Sequence, residues 1–210
     1  MELSEVLRRR RSVRRFDSDR PVTAETIDRI LDAALRAPSA GHTQGVTLLA
    51  LDEPDQVASF WRVCAGEPAD TDDSWLRGMR TAPLLVTVWT SKAAYLDRYA
   101  EPDKGWTDRD ESRWSAPYWW VDGGMAAMNV LLTVVDEGLG ACFFGVPADL
   151  HDPVRAHLGV PDDQLCVGVV AIGHPAGGGD RGSAVTRPKL SRDVRIRRGG
   201  WNVKRPADQP

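Results

Sequence analysis

The chain has 210 residues, 42% of them hydrophobic and 27% charged, with a formal net charge of −3. One core can bury most of the apolar surface at this length, and the mild acidity excludes a general affinity for polyanions. No apolar run approaches the roughly 20 residues that span a bilayer and the N-terminus is charged, so neither membrane insertion nor export is expected. Cys64, Cys142 and Cys166 form no CxxC pair, and the four histidines follow no zinc-ligand spacing. A reduced, metal-free, cytoplasmic setting follows as the expectation.

Near the start, "RRRRSVRR" (8–15) sets six arginines in eight positions. If the chain is extended after Arg9, side chains alternate, with Arg10, Ser12 and Arg14 on one side and Arg11, Val13 and Arg15 on the other. "PVTAETIDRILDAALRAPSA" then reads as a helix, capped by Thr23, striped by Ile27, Ile30, Leu31, Ala34 and Leu35, and stopped by Pro38. The loop "APSAGHTQG" leads to a strand over 46–51, a helix over 54–64 and a second, mostly apolar strand over 82–89.

Residues 100–117 mix charge, Gly and Pro without periodicity and read as a long loop or lid, with tryptophans in or near it. "YWWVDGGMAAMNVLLTVVDEG" predicts the central helix. Val121, Met125, Met128, Leu132 and Val135 form an apolar stripe, and Gly123, Gly124, Ala126 and Ala127 allow close packing, internal or across a dimer. "GACFFGV" and "LCVGVVAIG" read as strands around a short helix. From Gly177 onward the chain is Gly-, Arg- and Pro-rich and cannot fold alone, and the glycine-rich 176–182 reads as linker. Helices and strands alternate without repeats, which gives an α/β or α+β sandwich.

No GxGxxG, GxxxxGK[ST] or GxSxG is present, and no Cys or His lies in a recognisable catalytic context. An enzyme built this way would rely on a bound cofactor. Three stretches could build an anion and cofactor site. Arg10, Ser12 and Arg14 offer two guanidinium forks and a hydroxyl; Ser39, His42 and Gln44 offer donors on a turn kept open by Ala40 and Gly41; Arg187 and Lys189 in "TRPKL" point to one side of an extended segment. Each also has a plain reading: a solvated helix end or nucleic-acid arm, a polar loop, a basic tail.

Taken in order, "RRRSVRRF", "PV" with a helix ending in "APSA", "DGGMAAMNVLLTVVDEGLGACFFG", and "IGHPA" with "RPKL" and Trp201 resemble the FMN-dependent nitroreductase family from about residue 4 to about residue 201. The resemblance implies an α+β fold, with a central, mostly antiparallel sheet between helices, in a domain-swapped homodimer. All 210 residues then form one domain, with 177–210 wrapping the partner. It implies noncovalent FMN at the dimer interface. Arg10, Arg187 and Lys189 match phosphate ligands; Ser12 and Arg14 match contacts to the ribityl chain and the polar edge of the ring, with Arg11 beside them. Pro38, Ser39, Ala40, His42 and Gln44 match the loop bordering the isoalloxazine, and Phe143, Phe144 and Gly145 the stretch beside flavin N5. The pattern departs at His42, where the family usually has asparagine, and at Gly45 and Val46, where it commonly has Pro-Trp.

The implied activity passes electrons from NAD(P)H through flavin N5 to a nitroaromatic, quinone or similar conjugated acceptor by a ping-pong mechanism. No catalytic side chain is required; Arg14 is the candidate for stabilising the reduced ring. Trp106, Trp114, Tyr118, Trp119 and Trp120 are candidates for the wall against the acceptor, with core packing as their plain reading. Neither nucleic acid nor membrane is an expected partner. The alternatives are a biosynthetic flavin dehydrogenase or oxidase, a protein that sequesters FMN without turnover, and a colourless protein whose arginine run binds DNA.

Overall fold

The computed structural model describes residues 1–67, 73–177 and 187–201. Most of the glycine-rich 176–182 stretch lies outside the described residues. The chain divides into two compact units, Met1–Gly177 and Gly178–Pro210.

The first unit is an α+β sandwich around a four-stranded sheet: β1 (Val46–Leu51), β2 (Leu84–Ser91), β3 (Gly140–Phe144) and β4 (Gln164–Gly173). The strand order is β1-β2-β4-β3, and every neighbouring pair is antiparallel. β2 is buried at all eight positions because it is central and covered on both faces, which explains its mostly apolar sequence. Leu84 and Val86 join the cluster on one face, Leu85 and Trp89 the cluster on the other.

Among the described residues, seven α-helices belong to this unit: α1 (Leu3–Arg9), α2 (Ala24–Leu35), α3 (Pro54–Ala65), α4 (Ser74–Met79), α5 (Lys92–Ala100), α6 (Tyr118–Asp136) and α7 (His151–His157). The Thr23 side chain caps α2 by accepting from the Thr26 amide, as its place before the apolar periodicity predicts. α2 and α6 cover one face of the sheet with Ile27, Ile30, Ala34, Val130 and Val134. α3, α4 and α7 cover the other with Val57, Phe60, Trp61, Leu76, Met79 and Val154. α4 and α5 are not apparent as helices from periodicity, since six and nine residues give too short a sample.

α6 differs from its reading in an instructive way. Its buried face is made of Gly123, Ala126, Ala127, Val130 and Val134, whereas Val121 and Met128, from the apolar stripe, are 43% and 46% exposed. The small residues let the helix lie close on the sheet. A Cβ on Gly123 would come within 2.6 Å of Val167, which stands at a β-bulge where the β2–β4 register shifts between Val88 and Trp89. Val121 and Met128 are left pointing outward, while Trp119, Val130 and Val134 stay buried.

The second unit, in its described part, holds α8 (Arg192–Arg195), and the Arg197 guanidinium lies 5.8 Å from the centre of the Trp201 ring.

The stretch after α1 is fixed from both sides. Val13 donates its amide to Ala141 O at 2.9 Å, the Phe16 amide donates to Thr81 Oγ1 at 2.8 Å, and Thr81 Oγ1 donates to Gly78 O at 2.7 Å. A Cβ on Gly78 would stand 2.2 Å from the backbone oxygen of Arg14. Gly78→Ala should therefore cost about 1–3 kcal/mol of stability, because backbone rather than a flexible side chain must yield. Differential scanning calorimetry should record a melting temperature lowered by several degrees; an unchanged one would count against this contact.

Candidate functional site

α1 ends at Arg9, and Arg10 closes it by donating its amide to Val6 O at 2.9 Å. The chain then extends and Ser12 pairs in parallel with Ala141 at the free edge of β3. Arg8, Arg9, Arg10, Arg11 and Val13 line a recess of about 380 Å³ against the end of α6 at Val135. Arg11 and Val13 share a side, as alternation requires. Arg10 joins them instead of following Ser12 and Arg14, because it sits at the bend that ends the helix.

Arg8 and Arg9 approach Glu5 at 3.9 and 3.3 Å. Arg10 and Arg11 have no ion-pair partner among the described residues. Two guanidiniums without a carboxylate beside an open recess are suited to an anion with several oxygens.

Two residues along β3 from Ala141, Phe143 is 40% exposed on the α6 side of the sheet. Phe144 turns to the opposite face, where it stacks on Trp61 with ring centres 5.4 Å apart and an angle of 12°. Of the CFFG stretch, the Phe143 side chain and the backbone up to exposed Gly145 remain available to a ligand, while the Phe144 ring is engaged in packing.

The 38–44 loop follows α2 at the β1 edge. It carries left-handed backbone at Gly41 (φ 63°), His42 (φ 56°) and Gln44 (φ 55°), uncommon for residues with a Cβ. The strain is held by specific bonds. Ser39 Oγ accepts from the Gln44 amide at 3.0 Å, Thr43 Oγ1 donates to Ala40 O at 2.5 Å, and Arg98 Nε donates to Gly41 O at 2.9 Å. Beneath it lies a cavity of about 230 Å³ with polar groups from Ser39, His42, Gln44 and Asp122 and apolar walls from Leu35, Pro38 and Val46. A larger cavity, about 630 Å³, opens between α3 and the turn at Thr81–Pro83, and holds none of the residues singled out in the sequence.

Of the five aromatics assigned to an acceptor wall, Trp106, Trp114 and Trp119 form one cluster with Tyr95 and Tyr99 of α5. Trp114 lies 4.3 Å from Tyr99 and 6.1 Å from Trp119, and Trp106 lies 4.9 Å from Tyr99, between ring centres. This cluster fastens the 101–117 segment to α5 and α6. Tyr118, 38% exposed, and half-buried Trp120 are freer to meet a ligand. Arg187 and Lys189 belong to the second unit, where both are exposed ahead of α8.

The first unit thus carries two clusters of candidate residues on different edges of its sheet. Residues 10–14 and 140–145 lie along β3, and 38–44 lies beside β1, three strands or about 14 Å away at the usual strand spacing. Along α6, the loop cavity is lined by Asp122 and the arginine recess by Val135, a helical rise of about 20 Å.

Other chemistries find no support. Burial pushes the Cys64 thiol up to about 12, with Cys166 nearby adding to it, and pushes Cys166 up to about 11, so neither is a thiolate near neutrality. Among the described residues no group of His, Cys, Asp and Glu could hold a metal ion, and no helix is long and apolar enough to cross a membrane.

With this arrangement in view, the family pattern of nitroreductases matches residues 7–174. The chain belongs to the nitroreductase family.

Its relatives are distant. A protein of Methanothermobacter thermautotrophicus, provisionally named an NADH dehydrogenase/NAD(P)H nitroreductase, is 26% identical over 179 residues, covering 84% of this chain and 78% of that one. The Bacillus subtilis nitroreductase NfrA1 superposes with a TM-score of 0.71 at 21% identity, over 97% of this chain and 76% of that one. A Desulfovibrio desulfuricans protein, provisionally assigned as a nitroreductase and solved in complex with FMN, superposes with a TM-score of 0.63 at 21% identity, covering 91% of this chain and 98% of that one. These likenesses establish a nitroreductase fold.

The sequence reading passed over Asp122 and Tyr95, which lie beneath the loop. The available signal was a carboxylate within the most apolar helix of this family member, a position where a charge needs partners.

The 101–117 segment is also held by carboxylates. Asp103 receives two hydrogen bonds from Arg98 at 2.7 and 2.8 Å, and Asp108 one from Arg113 at 2.5 Å. The Arg98 bond holds Asp103, and the Arg113 bond Asp108, below the usual aspartate range; bonds from the Ser112 hydroxyl and amide do the same for Asp110. A depressed folded-state pKa gives stabilisation that is complete above the ordinary aspartate value of about 3.9 and is lost as pH falls through the folded value. Limited pepsin digestion between about pH 4 and pH 2 should release cuts within 101–117 ahead of cuts in the sheet, as read by mass spectrometry. Simultaneous cutting of both would show that these pairs do not set the stability of the segment.

Proposed function

We propose that this chain is an FMN-dependent oxidoreductase that takes electrons from NAD(P)H and passes them to a conjugated acceptor such as a nitroaromatic or quinone, working as a homodimer. The observation that carries this reading is the pair of separated clusters. The arginine recess and the β3 edge suit the phosphate end and one side of a flavin, the strained loop suits the border of a ring, and three strands lie between them within one chain. A second copy placing its loop against the first copy's β3 edge would complete each site. Exposed Leu3 and Leu7 of α1 and Val121 and Met128 of α6 offer the apolar surface for that contact. The family relationship, an FMN-bound fold neighbour and a relative from Staphylococcus aureus named an NADPH-dependent oxidoreductase support the same reading.

The fit to FMN rests on the donor set. Arg10 and Arg11 would hold the phosphate, and Ser12 the ribityl chain; Arg187 and Lys189, which the family resemblance also matches to the phosphate, are tested by substitution. Half-buried Arg14 would stand at the polar edge of the ring, where its charge favours a more electron-rich flavin. The backbone of 143–145 would face the ring centre, and Pro38, Ser39, Ala40, His42 and Gln44 would border it. Bound there, FMN supplies the two-electron chemistry that no side chain of this protein offers. The protein's part is position, electrostatics and a dry wall, the last from Tyr118 and Trp120.

The purified protein should be yellow, and anaerobic addition of NADH or NADPH should bleach it. A flavin that neither nucleotide reduces would turn the reading towards a dehydrogenase or a sequestering protein. Arg187→Ala with Lys189→Ala should lower FMN occupancy about tenfold or more, since each removes a charge-assisted phosphate contact. Unchanged retention would clear both residues of that role.

Met128→Glu sets a carboxylate in the proposed contact between copies. It should convert dimer to monomer in sedimentation velocity and lose FMN in the same step. A monomer that keeps its flavin would refute the shared site.

A further inference from the structure

The 38–44 loop cannot hold its shape by itself. Three of its residues sit at positive φ, two of them with a Cβ, and its sequence is short and polar. What lies under it is a buried charge: Asp122 is 1% exposed, in the first half of α6, the most apolar helix of the chain. Its Oδ2 accepts from the Ala40 amide at 2.8 Å and from the Tyr95 hydroxyl at 2.8 Å. Asp122 also lines the cavity beneath the loop, and its Oδ1 takes no hydrogen bond from the described residues.

The surroundings limit what this carboxylate can do. Tyr95 is fully buried, and burial, with Asp122 at hydrogen-bond distance, pushes its phenol up, so it remains a neutral donor. Its ring packs under Gly45, where a Cβ would come within 2.6 Å of it, while a Cβ on Gly41 would come within 2.7 Å of the Tyr99 ring. The loop therefore rests on two tyrosines of α5 and is tied down by Arg98 of α5 at Gly41 and by one carboxylate of α6 at Ala40. Its two hydrogen bonds make the part of Asp122 mechanical: one carboxyl oxygen joins the Ala40 amide to the Tyr95 hydroxyl.

From this geometry we infer that Asp122 is the positioning residue of the ring-bordering loop: by accepting from the Ala40 amide and the Tyr95 hydroxyl it locks α6, α5 and the loop into the one conformation that receives the flavin. The inference rests on the reading of 38–44 as the loop that borders the ring. A hydrogen bond to a buried carboxylate is strong, and its loss would free a loop whose backbone strain favours another shape.

The test compares full-length wild type with Asp122→Ala, Asp122→Asn, Ala40→Pro and the Asp122→Ala/Ala40→Pro double variant, by FMN titration through flavin fluorescence and by hydrogen exchange of 38–44 without FMN. Ala40→Pro removes only the donor. Ser39 before it is extended (φ −133°, ψ 146°), and Ala40 is the first residue of a short 3-10 turn, both compatible with proline.

Asp122→Ala and Ala40→Pro should each weaken FMN binding about tenfold or more and speed exchange across the loop. The double variant should bind within about threefold of the weaker single one, because both remove the same bond. Asp122→Asn, which keeps an acceptor oxygen, should bind within about threefold of wild type. Single variants with wild-type affinity and exchange would overturn the inference, as would losses that multiply in the double variant. If Asp122→Ala does not fold, Ala40→Pro and Asp122→Asn decide it alone. A wild type that binds no FMN refutes the proposed function and not the lock, which the exchange of 38–44 then tests separately.

Discussion

The close approach of α6 to the sheet governs where everything else can stand. A 19-residue helix lying on β2 and β4 turns Gly123, Ala126 and Ala127 inward beside Val130 and Val134, with no room for a side chain at Gly123, and leaves Val121 and Met128 pointing away. The bulge at Val167 is the sheet's side of the same fit, turning an extra residue towards Gly123. Two consequences follow. The length of the helix keeps the loop cavity and the arginine recess apart, and its outward face is left apolar enough to need a cover. One packing constraint thus separates the two candidate clusters within a chain and supplies a surface through which two chains could join them.

Much of this was legible from residues alone, and the reasons are physical. Thr23 before an apolar 3-4 periodicity marked α2 because a hydroxyl at that place satisfies an otherwise unpaired amide. The mostly apolar run of β2 marked a strand covered on both faces. The orientation of α6 was not legible, because both of its faces are apolar and only the size of the residues distinguishes them. Arg10 escaped the alternation because a helix end rotates the chain by an amount no period of two describes. Which side the Phe144 ring faces was not legible, because it depends on which helices lie behind β3, and Trp61 comes from far along the chain. Asp122 and Tyr95 are 27 residues apart, a pairing that no local pattern reveals.

The aromatic cluster shows how packing and function compete for the same residues. Tyrosines and tryptophans in a charged, Gly- and Pro-containing segment look available to a planar ligand. In the fold, Trp106 and Trp114 hold that segment by packing, beside the carboxylate pairs of Asp103 and Asp108. The same tyrosines of α5 that anchor this segment also support the 38–44 loop from below.

The two clusters are built on opposite electrostatic plans. Arg10 and Arg11 can remain without carboxylate partners because water solvates them at a recess open to solvent, so little free energy is lost while no anion is bound. Asp122 has no such recourse. A charge that is 1% exposed must be satisfied by donors the fold itself supplies, and it is, by one amide and one phenol held in place by their own packing. The arginine side is thus open to solvent, whereas the loop side is set by bonds the fold itself supplies. For a cofactor with a flexible phosphate tail and a rigid ring this division is apt: the tail can be caught in several ways, but the ring reacts only if the surface beside it is already in position.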